Sequence, residues 1–366
     1  MKKVLKIIVL LALCAAAFTA AACDRSKEQS DKWHNKNASA GLEYELSADK
    51  SYYTLKGIGA CPDKDIVIPA KINGTPVKVI AEEAFQNREE IETLRIPSSI
   101  VRINDAAFRG CDNLAEVTIA NGLDKIPISC FYGCEKLTKI EIPASVKEIG
   151  NLAFGNTGFE TVAIPDTVEK IGSSIFSECK SLKNVQFPSK ITSIPERTFS
   201  SCVALTEYTV PETITKIEAN AFSFSGLQTI TISDSVTEIG KNAFSNCENL
   251  TSVTLSKNIT VIAESMFSGC KSLKTVTIPS KVTSIGKGSF SFSGITTITI
   301  PANVTKIEQF AFQCNNLQSV TFANKNGWSV WNYDNVKYKD FTAEELSSPE
   351  SVAKSLRYSS DTWKRS

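Results

Sequence analysis

Histidine is almost missing: the 366 residues contain one, His34. A single imidazole excludes most mechanisms that need a histidine base, a catalytic triad or an imidazole metal ligand. An excess of one charge is lacking too. Forty Lys and Arg stand against 39 Asp and Glu, a net charge of +1, whereas a nucleic-acid-binding chain normally carries a strong basic excess. Nucleic acid is therefore not an expected partner. The one strongly apolar run, Ile7 to Leu13, is too short to span a bilayer. Eleven cysteines fall far below the density of a disulfide scaffold, and the close-spaced Cys pairs of a zinc site are absent. So are a phosphate-binding loop, a dinucleotide fingerprint and a nucleophile elbow. Acid pairs such as Glu82-Glu83 and Glu89-Glu90 are sequential and read as solvated, not as glycosidase carboxylates. No catalytic residue, metal site or cofactor is expected, and the chain reads as a non-enzyme.

What is present begins with an export leader. Lys2, Lys3 and Lys6 precede the apolar run, and small residues lead to Cys23, the layout of a secretory signal. The cysteine after small residues resembles the lipobox of bacterial lipoproteins, which implies lipidation at Cys23. The match departs from the family pattern at Ala20, where Leu is usual. An ordinary signal-peptidase site near Ala20 to Ala22 is the alternative. Removing residues 1–22, with three lysines and no acids, changes the charge from +1 to −2. Residues 23–41 then form a polar tether that cannot bury enough surface to offset its chain entropy. His34 belongs to that tether.

The remainder is a repeat. Phenylalanine recurs at 85, 108, 131, 154, 176, 199, 222, 244, 267, 290 and 312, at intervals of 22 or 23. One unit runs from Met266 and Phe267 through Cys270, Leu273, Val276, Thr277, Ile278 and Pro279 to Val282 and Ile285. Alternation at Val276-Thr277-Ile278 predicts a strand with one buried face. Proline ends it, because it has no N–H for a ladder. The second apolar pair predicts another inward segment, and the Phe segment reads as a short helical turn. A unit this small cannot enclose its apolar face alone, so the units must stack. The 22-residue intervals follow Phe154, Phe222 and Phe290, each 68 residues after the last. These shortened units lose their cysteine and gain Gly158, Gly226 and Gly294, where a tighter turn with positive φ is expected.

The pattern Phe-x-x-Cys-x-x-Leu-x-x-Val-x-Ile-Pro-x-x-Val-x-x-Ile-Gly resembles the BspA-like, or treponemal, leucine-rich repeat of bacterial surface proteins. Gly41 to Leu46, Asp65 to Pro69 and Asn73 to Val77 are similar to the start of such arrays. The resemblance, over about residues 42–322, implies a right-handed leucine-rich-repeat solenoid, an α/β repeat array of about eleven units with a cap at each end. It further implies surface-exposed binding to a host matrix protein, a host receptor or another bacterium. With Cys23 as anchor, the location implied is the cell envelope, at the outer membrane surface. A periplasmic scaffold or assembly partner is the alternative.

Two columns within the repeat are candidate features. Cys111, Cys134, Cys179, Cys202, Cys247, Cys270 and Cys314 recur at one place in the repeat, three residues after the phenylalanine, or two in the case of Cys314. They read as a buried structural column, with inter-repeat disulfides the alternative, since stacked strands lie about 4.8 Å apart. Cys61 and Cys130 fall outside it. The outward strand residue becomes a ladder of Thr209, Thr231, Thr254, Thr277, Thr299 and Thr321. Threonine suits a strand in any case, yet a broad, weakly charged face also suits a protein or glycan ligand, and this is the expected binding surface. Residues 323–366 read as a cap: Trp328, Trp331, Tyr333 and Tyr338 close the open end, and Ser348-Pro349 starts a short helix.

Overall fold

A computed structural model of the chain describes residues 38–357 and 359–365. The leader, Cys23, His34 and nearly all of the tether lie outside the described residues. The repeats coil into a β-solenoid of about twelve turns. Eleven carry the phenylalanine; an N-terminal turn without one, built from Tyr53–Gly57 and Asp65–Val67, precedes them.

Two strand columns form two sides of the coil. The longer strands, from Asp65–Val67 to Ser319–Phe322, bury alternate residues, as at Thr297–Ile300 where Ile298 and Ile300 point inward. Their pairing is parallel and in register, with Leu94 opposite Val117 and Ile230 opposite Val253. The shorter strands are two residues each, as in Lys125–Ile126, Glu148–Ile149 and Lys170–Ile171, and place one isoleucine per turn inside.

The third side corrects an expectation. The Phe segment is not helical; it is a turn with two left-handed residues, one two positions before the phenylalanine and, in every unit but that of Phe312, one two positions after. Glu83 and Asn87 flank Phe85 in this way, with φ of 54° and 57°. Alternate N–H groups across the turn donate to the next coil: Glu83 to Asp105, Phe85 to Ala107 and Asn87 to Arg109. A helix would satisfy these groups within its own turn. Here stacking satisfies them between turns, so the segment forms a third ladder although no strand is present.

Inside, the eleven phenylalanine rings make one unbroken stack. Neighbouring centroids lie between 5.1 and 6.4 Å apart, as at Phe199–Phe222 and Phe176–Phe199. Ring planes stay within 26° of parallel. Every member is buried. In-register stacking forces this near-parallel arrangement, and the offset is the favourable one for aromatic pairs.

The glycines of the shortened units also differ from expectation. Gly158, Gly226 and Gly294 do not take positive φ. A Cβ at these positions would run into the carbonyl oxygens of Glu135, Val203 and Lys271. Glycine serves close backbone approach between turns.

The long-strand sheet is interrupted. Its ladder runs from Asp65–Val67 to Lys139–Glu141, then in separate pieces from Thr161–Ala163, Glu207–Thr209 and Thr297–Ile300. Residues 275–278, the segment whose alternation most clearly predicts a strand, make no strand pairing. At the second break Tyr208 replaces the usual aliphatic residue, and its buried ring packs against Phe199 and Phe222.

At the C-terminal end, Thr362–Arg365 pairs antiparallel with Lys306–Ile307 and with Trp328–Trp331. Trp328 and Trp363 pack on Phe322 at 4.9 and 6.2 Å, and Phe341 stacks on Trp363 at 4.6 Å. Helix α1 (Pro349–Arg357) buries Val352, Ala353 and Leu356. Tyr333 and Tyr338 remain exposed. The closing rings are therefore Trp328, Phe341 and Trp363; the two tyrosines sit on the far hairpin, which continues past the core.

Candidate ligand-binding face

The solvent side of the long-strand sheet carries two columns of side chains, because residues i and i+2 of a strand point the same way. Thr209, Thr231, Thr254, Thr277, Thr299 and Thr321 are all exposed and form one column. Beside it runs a second that the single-column reading omits: Thr229, Ser252, Thr275, Thr297 and Ser319. Period-two alternation carries the signal for it, since the outward residue two places earlier must share the face. Register fixes both columns, with Thr229 opposite Ser252 and Thr231 opposite Thr254, and Thr297 opposite Ser319 and Thr299 opposite Thr321.

The outcome is a lattice of hydroxyls without charge from residue 229 onward. Turn-to-turn spacing is about 4.8 Å, and spacing along a strand is about 6.6 Å. Each hydroxyl both donates and accepts. The N-terminal half of the same face is different: Arg95, Glu116, Lys139 and Glu141 interrupt it with charge. Near the C-terminal end the face dips into a shallow hollow of about 390 Å³, lined by Thr275, Thr277, Thr297, Thr299, Ser319 and Thr321. The unpaired segment 275–278 forms one wall, so backbone N–H and C=O groups are available there beside the hydroxyls.

A larger groove of about 740 Å³ lies at the N-terminal end, between the first hairpin and the short strands. Acids and bases mix along it, including Lys78, Arg102, Asp105, Asp124 and Lys125. Several are already engaged: Lys125 pairs with Glu148 at 2.8 Å, and Lys78 sits 5.9 Å above the Tyr52 ring. The hydrogen bond from Lys125 holds the Glu148 carboxyl below its usual range. Charges of both signs are mixed in the groove and part of them are spent on contacts within the chain, so the uniform hydroxyl face is the better candidate. Among the described residues no group of three or more His, Cys, Asp or Glu side chains could hold a metal ion.

The seven column cysteines are buried and unbridged. Each thiol donates to the carbonyl of a phenylalanine in the preceding turn, as Cys202 to Phe176 at 3.1 Å and Cys270 to Phe244 at 3.1 Å. Burial pushes Cys179, Cys247 and Cys314 up to about 11. The shortened units keep the position as a hydroxyl: Thr157, Ser225 and Ser293 lie 3.2, 3.3 and 3.3 Å from the next cysteine sulfur. The deletion thus falls after this position, and the column is continuous. Cys130, outside it, occupies the small-residue site before Phe131 and is buried; Cys61 is half-buried.

A stacked array with a repeating sheet face, closed at its C-terminal end by Trp328, Phe341 and Trp363, defines a leucine-rich-repeat solenoid. The family profile described as "BspA type Leucine rich repeat region" matches six times, over residues 78–174, 147–265 and 237–343. The chain belongs to that family. No curated protein sequence matches significantly. Among solved structures, the pneumococcal vaccine antigen PcpA is 20% identical, with 79% of this chain and 88% of that chain covered and a TM-score of 0.52. This likeness supports the fold. A leucine rich cell surface protein from Faecalibacterium prausnitzii is 24% identical, covering 79% of this chain and 95% of that one at a TM-score of 0.49. A leucine-rich repeat protein from Bacteroides ovatus is 25% identical, covering 78% and 94%, also at 0.49.

Proposed function

We propose that the chain is an exported, non-enzymatic binding protein, lipid-anchored through Cys23 at the cell surface. Its ligand is an extracellular protein or glycan of the host matrix, a host receptor or another bacterium, and it sits on the hydroxyl face. One observation carries this reading: eight threonines and two serines from Thr229 to Thr321, all exposed except the half-buried Ser319, form two uncharged columns on the long-strand side of the coil. A surface of this kind suits a ligand rich in neutral hydrogen-bonding groups. Binding energy is spread along it, since it lacks the aromatic and Arg anchors of a compact hot spot. The export-type leader and the family support an outward-facing role.

The test is a binding screen of residues 38–366 against matrix proteins, epithelial receptors and bacterial surface glycans. Placing lysine at Thr231, Thr254 and Thr277 together should lower affinity for the captured ligand by at least about tenfold, the effect of 1.4 kcal/mol. Far-UV circular dichroism should not change, because all three side chains point to solvent. Unaltered binding would remove the hydroxyl face as the site. Protease shaving of intact cells reports orientation: an accessible array supports an adhesin, and a protected one favours a periplasmic scaffold.

A further inference from the structure

The left-handed position two residues after the core phenylalanine, present in every unit from Phe85 to Phe290, is held elsewhere by Gly, Asn, Ser or Glu, as at Gly110, Asn156 and Ser201. At two turns it holds phenylalanine. Phe224 and Phe292 have φ of 59° and 56° and are 56% and 63% exposed. A bulky side chain at positive φ is a backbone outlier, and a large ring left in water forgoes burial. Both penalties fall on the same two residues, so neither folding nor packing explains them. Strain and exposure retained together point to an interaction. These rings lie on the turn side of the coil, away from the hydroxyl face.

The spacing identifies the occupant. Phe224 and Phe292 are three turns apart, about 14 Å at strand spacing. A two-fold axis between the intervening turns would exchange them, bringing Phe224 of one chain to Phe292 of another, twice. The intervening left-handed positions are Asn246 and Gly269, low enough to let two such sides approach. The charges flanking them obey the same symmetry. Glu248 and Lys271 occupy equivalent positions on the two central turns, 2.7 Å apart within the chain and both largely exposed. The axis that matches the rings also sets each Glu248 against Lys271 of the second copy. A self-complementary patch is the signature of an isologous interface.

We propose that this side is a homodimer interface, with two chains antiparallel and paired through Phe224 and Phe292. Sedimentation velocity on residues 38–366, which fold around one continuous core, should show a concentration-dependent dimer. The Phe224→Asn and Phe292→Asn double variant should weaken dimerisation by at least about 25-fold, the usual loss for a hot-spot residue. Asn already serves this turn position at Asn246 and Asn156, so the variant keeps its fold, which thermal melting verifies. Charge reversal supplies a second readout. E248K alone and K271E alone should each be monomeric, while an equimolar mixture should form a heterodimer. Mixing restores only the contacts between chains, not the pair within a chain. A wild-type chain that stays monomeric to its solubility limit overturns the proposal, as does a dimer that survives the double Asn variant or a charge-reversal mixture that stays monomeric.

Discussion

At the scale of single residues, the buried thiols tie the array's stability to pH. A thiol donating to a carbonyl inside the core must stay protonated, and burial lifts Cys179, Cys247 and Cys314 from 9.0 to about 11. A folded-state value raised above the unfolded one stabilises the fold fully below the unfolded value. That contribution is lost as pH rises from about 9 towards 11, because the unfolded chain releases protons the folded chain retains. The melting temperature should therefore fall through this window, and replacing the three cysteines with alanine should make the decline shallower. Thiol-specific reagents should label Cys61 before any column cysteine, since the column is closed to solvent. The column position was legible from spacing. Its role was not, because the acceptor is the carbonyl of a phenylalanine about 26 residues earlier.

Elements depend on their neighbours more than on their own sequence. Each turn closes only some of its own hydrogen bonds, such as Gln86 to Glu83 and Arg88 to Phe85, and sends the rest to its neighbours, so turns depend on one another and the phenylalanine stack acts along the whole array. Phe244→Ala, in mid-stack between Phe222 and Phe267, should cost about 3–5 kcal/mol. Because repeats couple to nearest neighbours, hydrogen exchange should accelerate first in the turns on either side. The left-handed turn positions offer the opposite change. Leu152 occupies one with φ of 57° and is half-buried. Leu152→Asn should raise stability by about 0.5–1 kcal/mol, a fraction of the cost of a left-handed L-residue, read as a shift in denaturation midpoint. Where the sequence reading expects a helical turn at this segment, the residues themselves carry no helix signal. Glycine, asparagine and serine recur at fixed distances either side of the phenylalanine, and that spacing is the sign of a two-bend turn.

For the whole molecule, the ends decide whether the stack survives in water. An open solenoid exposes its core at the last turn, here the side of Phe312 and Val320. The C-terminal cap covers it with Trp328, Phe341, Trp363 and helix α1. Deleting residues 323–366 should produce a chain that aggregates or frays from its C-terminal turns, visible as lost exchange protection after about residue 267 while the N-terminal turns stay protected. Chain reversal at Thr362–Arg365, which pairs antiparallel with the last short strand, stops further parallel addition at that side.

Periodicity in the sequence determined the repeat, its length, the inward phenylalanine, leucine and isoleucine positions, the cysteine column and the threonine column. Each follows from a local rule: what recurs at 22 or 23 residues must occupy the same place in every turn. The tertiary structure alone decided which local groups meet across turns. It showed the thiol-to-carbonyl bonds, the hydroxyls standing in for missing cysteines, the glycines set by passing carbonyls, the hollow beside residues 275–278 and the exposure of Phe224 and Phe292. The physical reason is that every one of these contacts joins residues more than twenty positions apart. Their distances are set by how turns stack, and stacking is a property of the assembled coil.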